Sequence, residues 1–109
     1  MVALAGCRAE PADVARAERE ALSSVVAVGA PFAPLGPALA AKGYDCRMSR
    51  GGFTAESGTP SSAPSFMRCN AQTKPVRRCS IGTQLIVVPK EGVIDQVHFF
   101  AGNSCLRAT

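Results

Sequence analysis

Five of the 109 residues are cysteines, and their spacing is the most chemically telling pattern in the chain. Cys7 stands apart near the N-terminus, while Cys46, Cys69, Cys79 and Cys105 all lie in the second part. Four thiols without a close pair suit two disulfides made in an oxidising compartment. A Cys₄ zinc site is the rival use, but such sites usually draw their ligands from closely paired cysteines. A thioredoxin-like redox centre needs Cys-x-x-Cys, which is absent.

Other chemistry is sparse. His98 is the single histidine and falls in a strand-like run between Val97 and Phe99. Asp45, Glu56, Glu91 and Asp95 show no pairing that suggests acid–base work. No serine sits in a nucleophile elbow, and no Gly-Lys-Ser/Thr spacing marks a phosphate loop. No catalytic residue, metal or cofactor is therefore assigned. His98 with a nearby acid is the only material for the alternative, a small enzyme. Arg77-Arg78, with Arg68 expected across a turn, forms a basic cluster able to meet phosphate or carboxylate groups. Nucleic-acid binding by stacking needs aromatic residues on an exposed basic face. The chain has five Phe and one Tyr, and most read as core, so no nucleic-acid partner is expected.

The N-terminus reads Met1-Val-Ala-Leu4-Ala5-Gly6-Cys7. Leu4-Ala5-Gly6-Cys7 resembles the bacterial lipobox, in which an apolar residue and two small ones precede a lipid-modified cysteine. The resemblance implies that Cys7 carries diacylglycerol after the preceding peptide is cleaved. Its acyl chains would anchor the chain, each buried CH₂ contributing roughly 0.8 kcal/mol. Arg8 rather than Asp follows the cysteine, which in that family favours the outer membrane, facing the periplasm. A full leader needs a basic region and an apolar stretch of about 7–15 residues. Six residues precede Cys7 and none is basic, so the rest of the leader is expected upstream of Met1.

Composition sets the class. At 47% hydrophobic and 18% charged residues the chain is globular rather than disordered, and its length suits one domain. No apolar run reaches the roughly 18 residues of a membrane-spanning helix. The net charge of +4 is uneven: acids slightly exceed bases from Arg8 to Glu20, whereas bases lead from Pro31 onward. That distribution favours anionic partners, whether an acidic protein or an anionic envelope component.

The elements that must position these groups follow from pattern. Asp13 can cap a helix over Val14–Val28, with Val14, Ala17, Ala21, Val25 and Val28 as its stripe; the alternative is a flexible tether. Prolines confine a second, short helix to about Pro34 or Pro37 through Lys42, with Leu35 and Leu39 on one face. Gly43 suits the left-handed position after it. Tyr44–Met48 alternates as a strand, with Tyr44, Cys46 and Met48 on one face. Ser49 to Pro64, rich in Gly, Ser, Thr and Pro, reads as a long loop. Ser65–Cys69 is a second strand, Thr73-Lys74-Pro75 a turn, Val76–Val88 a third strand and Val93–Phe100 a fourth. Leu85–Val88 is apolar on both faces, as a central strand is. Pro89-Lys-Glu-Gly92 is a turn.

Strand register ranks the cysteine pairings. A turn near Pro89–Gly92 brings Cys79 close to Cys105, and the first hairpin brings Cys46 near Cys69. Cys46–Cys69 with Cys79–Cys105 is favoured. Cys69–Cys79 with Cys46–Cys105 stays open, since a turn at Lys74 also sets Cys69 opposite Cys79. The expected fold is α+β, one or two N-terminal helices on a four-stranded antiparallel meander with two disulfides. Residues 1–7 are the leader remnant and lipid site, 8–30 a tether or helix, and 31–109 the domain.

Leu35-x-x-x-Leu39, then Lys42-Gly43-Tyr44-x-Cys46, a loop and a cysteine-bearing meander resemble small periplasmic lipoproteins. The order is also similar to the helix-then-four-strand domains of the β-lactamase inhibitor protein type and of small outer-membrane assembly lipoproteins. That resemblance covers roughly residues 31–105. Those families bind proteins, so it implies a binding module rather than an enzyme.

Overall fold

A computed structural model describes residues 11–76 and 79–105, with side-chain surroundings over 16–71 and 82–102. Two short helices, α1 (Pro11–Leu22) and α2 (Leu35–Ala40), precede four strands: β1 (Asp45–Thr54), β2 (Pro60–Val76), β3 (Cys79–Lys90) and β4 (Val93–Cys105). The strands form one antiparallel sheet in the order β1-β2-β3-β4, a meander. The α+β class and the meander are as expected from sequence.

The helix expected over Val14–Val28 lies three residues earlier and is shorter. Proline at the first helical position is already set at a helical φ and gives up no hydrogen bond there. Past Leu22, serine and β-branched residues favour leaving the helix. The Ser23 hydroxyl donates to the Glu20 carbonyl at 2.8 Å, and the chain tightens as Val25 and Val26 both donate to the Leu22 carbonyl. Ala17 and Ala21, assigned to the packing stripe, are exposed; Leu22, 3% exposed, is the residue that α1 buries. In α2 Leu35 and Leu39 are both fully buried. Gly43, at φ 92°, then reverses the chain so that the Tyr44 N–H reaches the Leu39 carbonyl at 3.0 Å.

The expected loop Ser49–Pro64 is mostly strand. β1 runs on to Thr54 and β2 starts at Pro60, leaving residues 55–59 as the connection. Ladder hydrogen bonds satisfy the backbone of these small polar residues whatever their side chains. Between the pairs Ser49–Phe66 and Gly51–Ala63, β2 spends three residues against two on β1. Such a bulge bends the strand and shifts the alternation by one. Ala63 thereby joins Phe66 on the same side of the sheet, where plain alternation from Arg47 already places Phe53. At the opposite end β2 continues through Thr73-Lys74-Pro75, where a turn was expected, to Val76.

Two apolar clusters flank the sheet. On one face Leu22, Leu35, Leu39 and Tyr44 pack against Met67, Cys69, Leu85, Val87, Ile94 and Phe99. On the other Phe53 folds onto Phe66, Ile86 and Val88, so the bent β1–β2 arm covers half of that face itself. Leu85 to Val88 are buried on both faces, as the sequence indicated for a central strand. Met48 shares its face with Cys46 but is 55% exposed, beyond the reach of the helices.

The start of the free edge of β4 is covered. Gly29 donates to the Ile94 carbonyl at 2.7 Å, Ile94 to that of Ala30 at 2.8 Å, and Phe32 to that of Gly92 at 3.0 Å. An uncovered edge would invite pairing with other chains.

Candidate functional site

The site is framed by the cysteines. Cys46 and Cys69 are directly opposed on β1 and β2, with Cα atoms 4.0 Å apart, and form a disulfide. Cys69 is fully buried in the helix-side core. This bond takes two of the four thiols out of any zinc site. Closing a loop of this length stabilises by about 3 kcal/mol in the chain-entropy account. Cys79 opposes Cys105 in the β3–β4 register. Cys7, Arg77 and Arg78 lie outside the described residues.

A register that pairs Cys46 with Cys69 must pair the next residues, Arg47 with Arg68. Successive residues point to opposite faces, so the disulfide faces the helices and both arginines stand on the second face. Phe53 and the arm cover one half of this face; the other half is open. Two rows of side chains cross the strands here: Arg47, Arg68, Ile86 and His98, in which Ile86 is buried against Phe53 and His98 bonds the arm, and then the open row Asp45, Asn70, Gln84 and Phe100. The second row, with Gly82 and Gly102 beyond it, lines a shallow groove of about 640 Å³.

Among the described residues the open half carries two arginines and one carboxylate. Arg47 lies 3.8 Å from the Asp45 carboxylate, with both side chains largely exposed. The Arg68 guanidinium sits over the Phe66 ring, 5.5 Å from its centroid. Gln84 Nε2 donates to Asn70 Oδ1 at 2.8 Å, fixing the two amides in the groove floor. These groups can take up an anion and hydrogen-bond beside it.

His98 does something else. Its Nδ1 accepts the Glu56 backbone N–H at 3.0 Å, which places the proton on Nε2, within 3.0 Å of Gln96 Oε1. Glu56 lies in the β1–β2 connection; its carboxylate accepts the Phe99 backbone N–H at 3.0 Å and pairs with Arg19 of α1. Nδ1 thus holds the arm against β4, while the Nε2 contact to Gln96 stays within β4. Among the described residues no group of three or more His, Cys, Asp or Glu could hold a metal ion.

On the helix side Tyr44, 4% exposed, donates to Glu18 Oε2 at 2.8 Å and lies 3.2 Å from Thr83 Oγ1. Burial pushes its phenol up to about 12; the Thr83 hydrogen bond opposes the shift and Glu18 adds to it. An apolar hollow of about 280 Å³ between α1 and the sheet is lined by Leu22, Val26, Val28, Leu85, Val97 and Phe99, with Arg19 at its rim.

Sequence reasoning placed Arg68 in a basic patch with Arg77 and Arg78 and passed over Arg47. The cysteine pairing held the missing signal, since adjacent residues inherit its register. Glu56 carried no signal, because its partners are 37 and 43 residues away.

The chain matches no protein-family model, and no curated protein or solved structure matches it. No helix among the described residues is long and apolar enough to cross a membrane.

Proposed function

We propose that this chain is a lipid-anchored binding module of the bacterial cell envelope, held at the outer membrane through Cys7 and facing the periplasm. The observation that carries this reading is the Cys46–Cys69 disulfide. Disulfides persist in oxidising compartments and are rare in the cytosol. Opposed positions in the β3–β4 register support a second bond between Cys79 and Cys105. The lipobox-like run ending at Cys7 supports the anchor.

Binding rather than catalysis accounts for the described residues best. The one histidine is committed to the arm, and the open half of the second face offers a groove lined by Asp45 and two amides, with Arg47 and Arg68 in the row beside it, but no nucleophile beside a base among the described residues. The partner is another envelope protein or an anionic envelope component.

Fractionation of cells that make the chain from its native gene tests the reading. The protein should partition with the outer membrane and carry acyl mass on Cys7. Cys7→Ser should release it from the membrane fraction. Recovery of the unsubstituted chain from the cytosol without acyl mass contradicts the proposal.

A further inference from the structure

We propose that the open half of the second face binds an acidic segment of a partner protein, with Arg47 and Arg68 taking its carboxylates over the Asn70–Gln84 floor. This rests on the binding-module reading and names what the module binds.

Directly opposed like charges on neighbouring strands destabilise a sheet. The chain nonetheless sets Arg47 against Arg68, and among the described residues Arg68 has no carboxylate partner. A carboxylate from outside would remove that repulsion. The ring of Phe66 supports the Arg68 guanidinium, so less freedom is lost when it pairs.

The floor beside the arginines suits a protein segment. With Gln84 Nε2 committed to Asn70 Oδ1, the Asn70 amide hydrogens and the Gln84 carbonyl face a ligand as donors and acceptor. Phe100, half-buried in the same row, adds aromatic surface. Gly102 leaves the far end unobstructed, since even a Cβ there would meet nothing within 4 Å. Asp45 decides between partners. A membrane of phosphate headgroups is anionic throughout and would meet that carboxylate as well as the arginines. A protein segment can set an acid against the arginines and a donor against Asp45.

The test is a titration of the disulfide-intact, isotope-labelled chain followed by nuclear magnetic resonance. Three probes are added separately: a synthetic peptide of repeated Glu, Tyr and Gly, inorganic phosphate, and phosphatidylglycerol vesicles. The peptide should give saturable shifts at Arg47, Arg68, Asn70 and Gln84 that weaken as salt rises. Arg47→Glu and Arg68→Glu should each weaken binding at least about fivefold. Gly102→Gln, which fills the groove and touches no arginine, should weaken it too, whereas Lys42→Glu should not. Shifts on another surface, insensitivity to salt, or absence of saturation overturns the proposal. Tighter binding of phosphate or vesicles than of peptide at these residues also overturns it. None of these readouts depends on the Cys7 lipid, so loss of the anchor reading leaves this result standing, and the reverse.

Discussion

Glu56 Oε1 accepts the backbone N–H of Phe99 at 3.0 Å, joining the β1–β2 connection to the middle of β4, the strand at the far edge of the sheet. The contact ties together groups that are otherwise far apart. Its carboxylate also pairs with Arg19, and the Arg19 guanidinium lies over the Phe99 ring, 5.3 Å from its centroid. Helix, arm and edge strand meet at one carboxylate. The arm carries Phe53, whose ring lies 5.0 Å from that of Phe66, so this contact holds the cover over the second cluster.

Glu56→Ala should therefore destabilise the protein by roughly 1–2 kcal/mol, since a backbone donor and a guanidinium both lose their acceptor. Glu56→Gln keeps a carbonyl for the Phe99 N–H and should cost about half as much. Denaturant midpoints of the two variants check this, and equal midpoints would contradict it.

His98→Ala removes the acceptor of the Glu56 N–H. His98→Asn keeps an oxygen near the position of Nδ1. Hydrogen exchange at the Glu56 amide should be faster in the alanine variant and close to the parent in the asparagine variant. Equal protection in all three would show that the imidazole does not hold the arm.

Tyr44 sets an alkaline limit. Its phenol titrates near 12 in the folded chain against an ordinary value of 10. The folded state thus holds the proton more tightly than the unfolded state. Stability is intact below pH 10, falls as the pH rises from about 10 to 12, and is reduced by roughly 2–3 kcal/mol once past the upper value. Tyr44→Phe should remove this part of the pH dependence, which urea melts across that range would show. The variant should also lose about 1 kcal/mol at neutral pH, because Glu18 and Thr83 give up a hydrogen bond.

Glu91 has φ 55°, and Gly92 follows at φ 83°; both central residues of the β3–β4 turn are left-handed. Asparagine tolerates that conformation far better than glutamate. Glu91→Asn should stabilise by about 0.5–1 kcal/mol, visible as a higher melting temperature.

Much of this architecture was legible before any coordinates. Leu35 and Leu39 announced the inner face of α2. The doubly apolar run at Leu85–Val88 announced the central strand, and the Cys46–Cys69 pairing followed from hairpin geometry. What sequence hid was long-range. Small polar residues from Ser49 to Pro64 look like a loop because nothing local shows that β1 and β2 satisfy each other's backbone. The bulge that brings Ala63 onto the face of Phe53 and Phe66 is likewise a property of the pair of strands. Helix α1 was misplaced because an Ala/Val stripe outweighed a proline at its start and two serines at its end. Of the open face, only Arg68 was read as a candidate, and the residue opposite it became visible once the register was fixed.

The account depends most on how the sulfurs are joined. Natively produced protein, alkylated without reduction, digested and weighed, gives the direct answer. Peptides containing Cys46 and Cys69 should run as one linked species, and those containing Cys79 and Cys105 as another, with no alkylation at any of the four. Four alkylated, unlinked cysteines would contradict the disulfide-locked sheet and the compartment inferred from it.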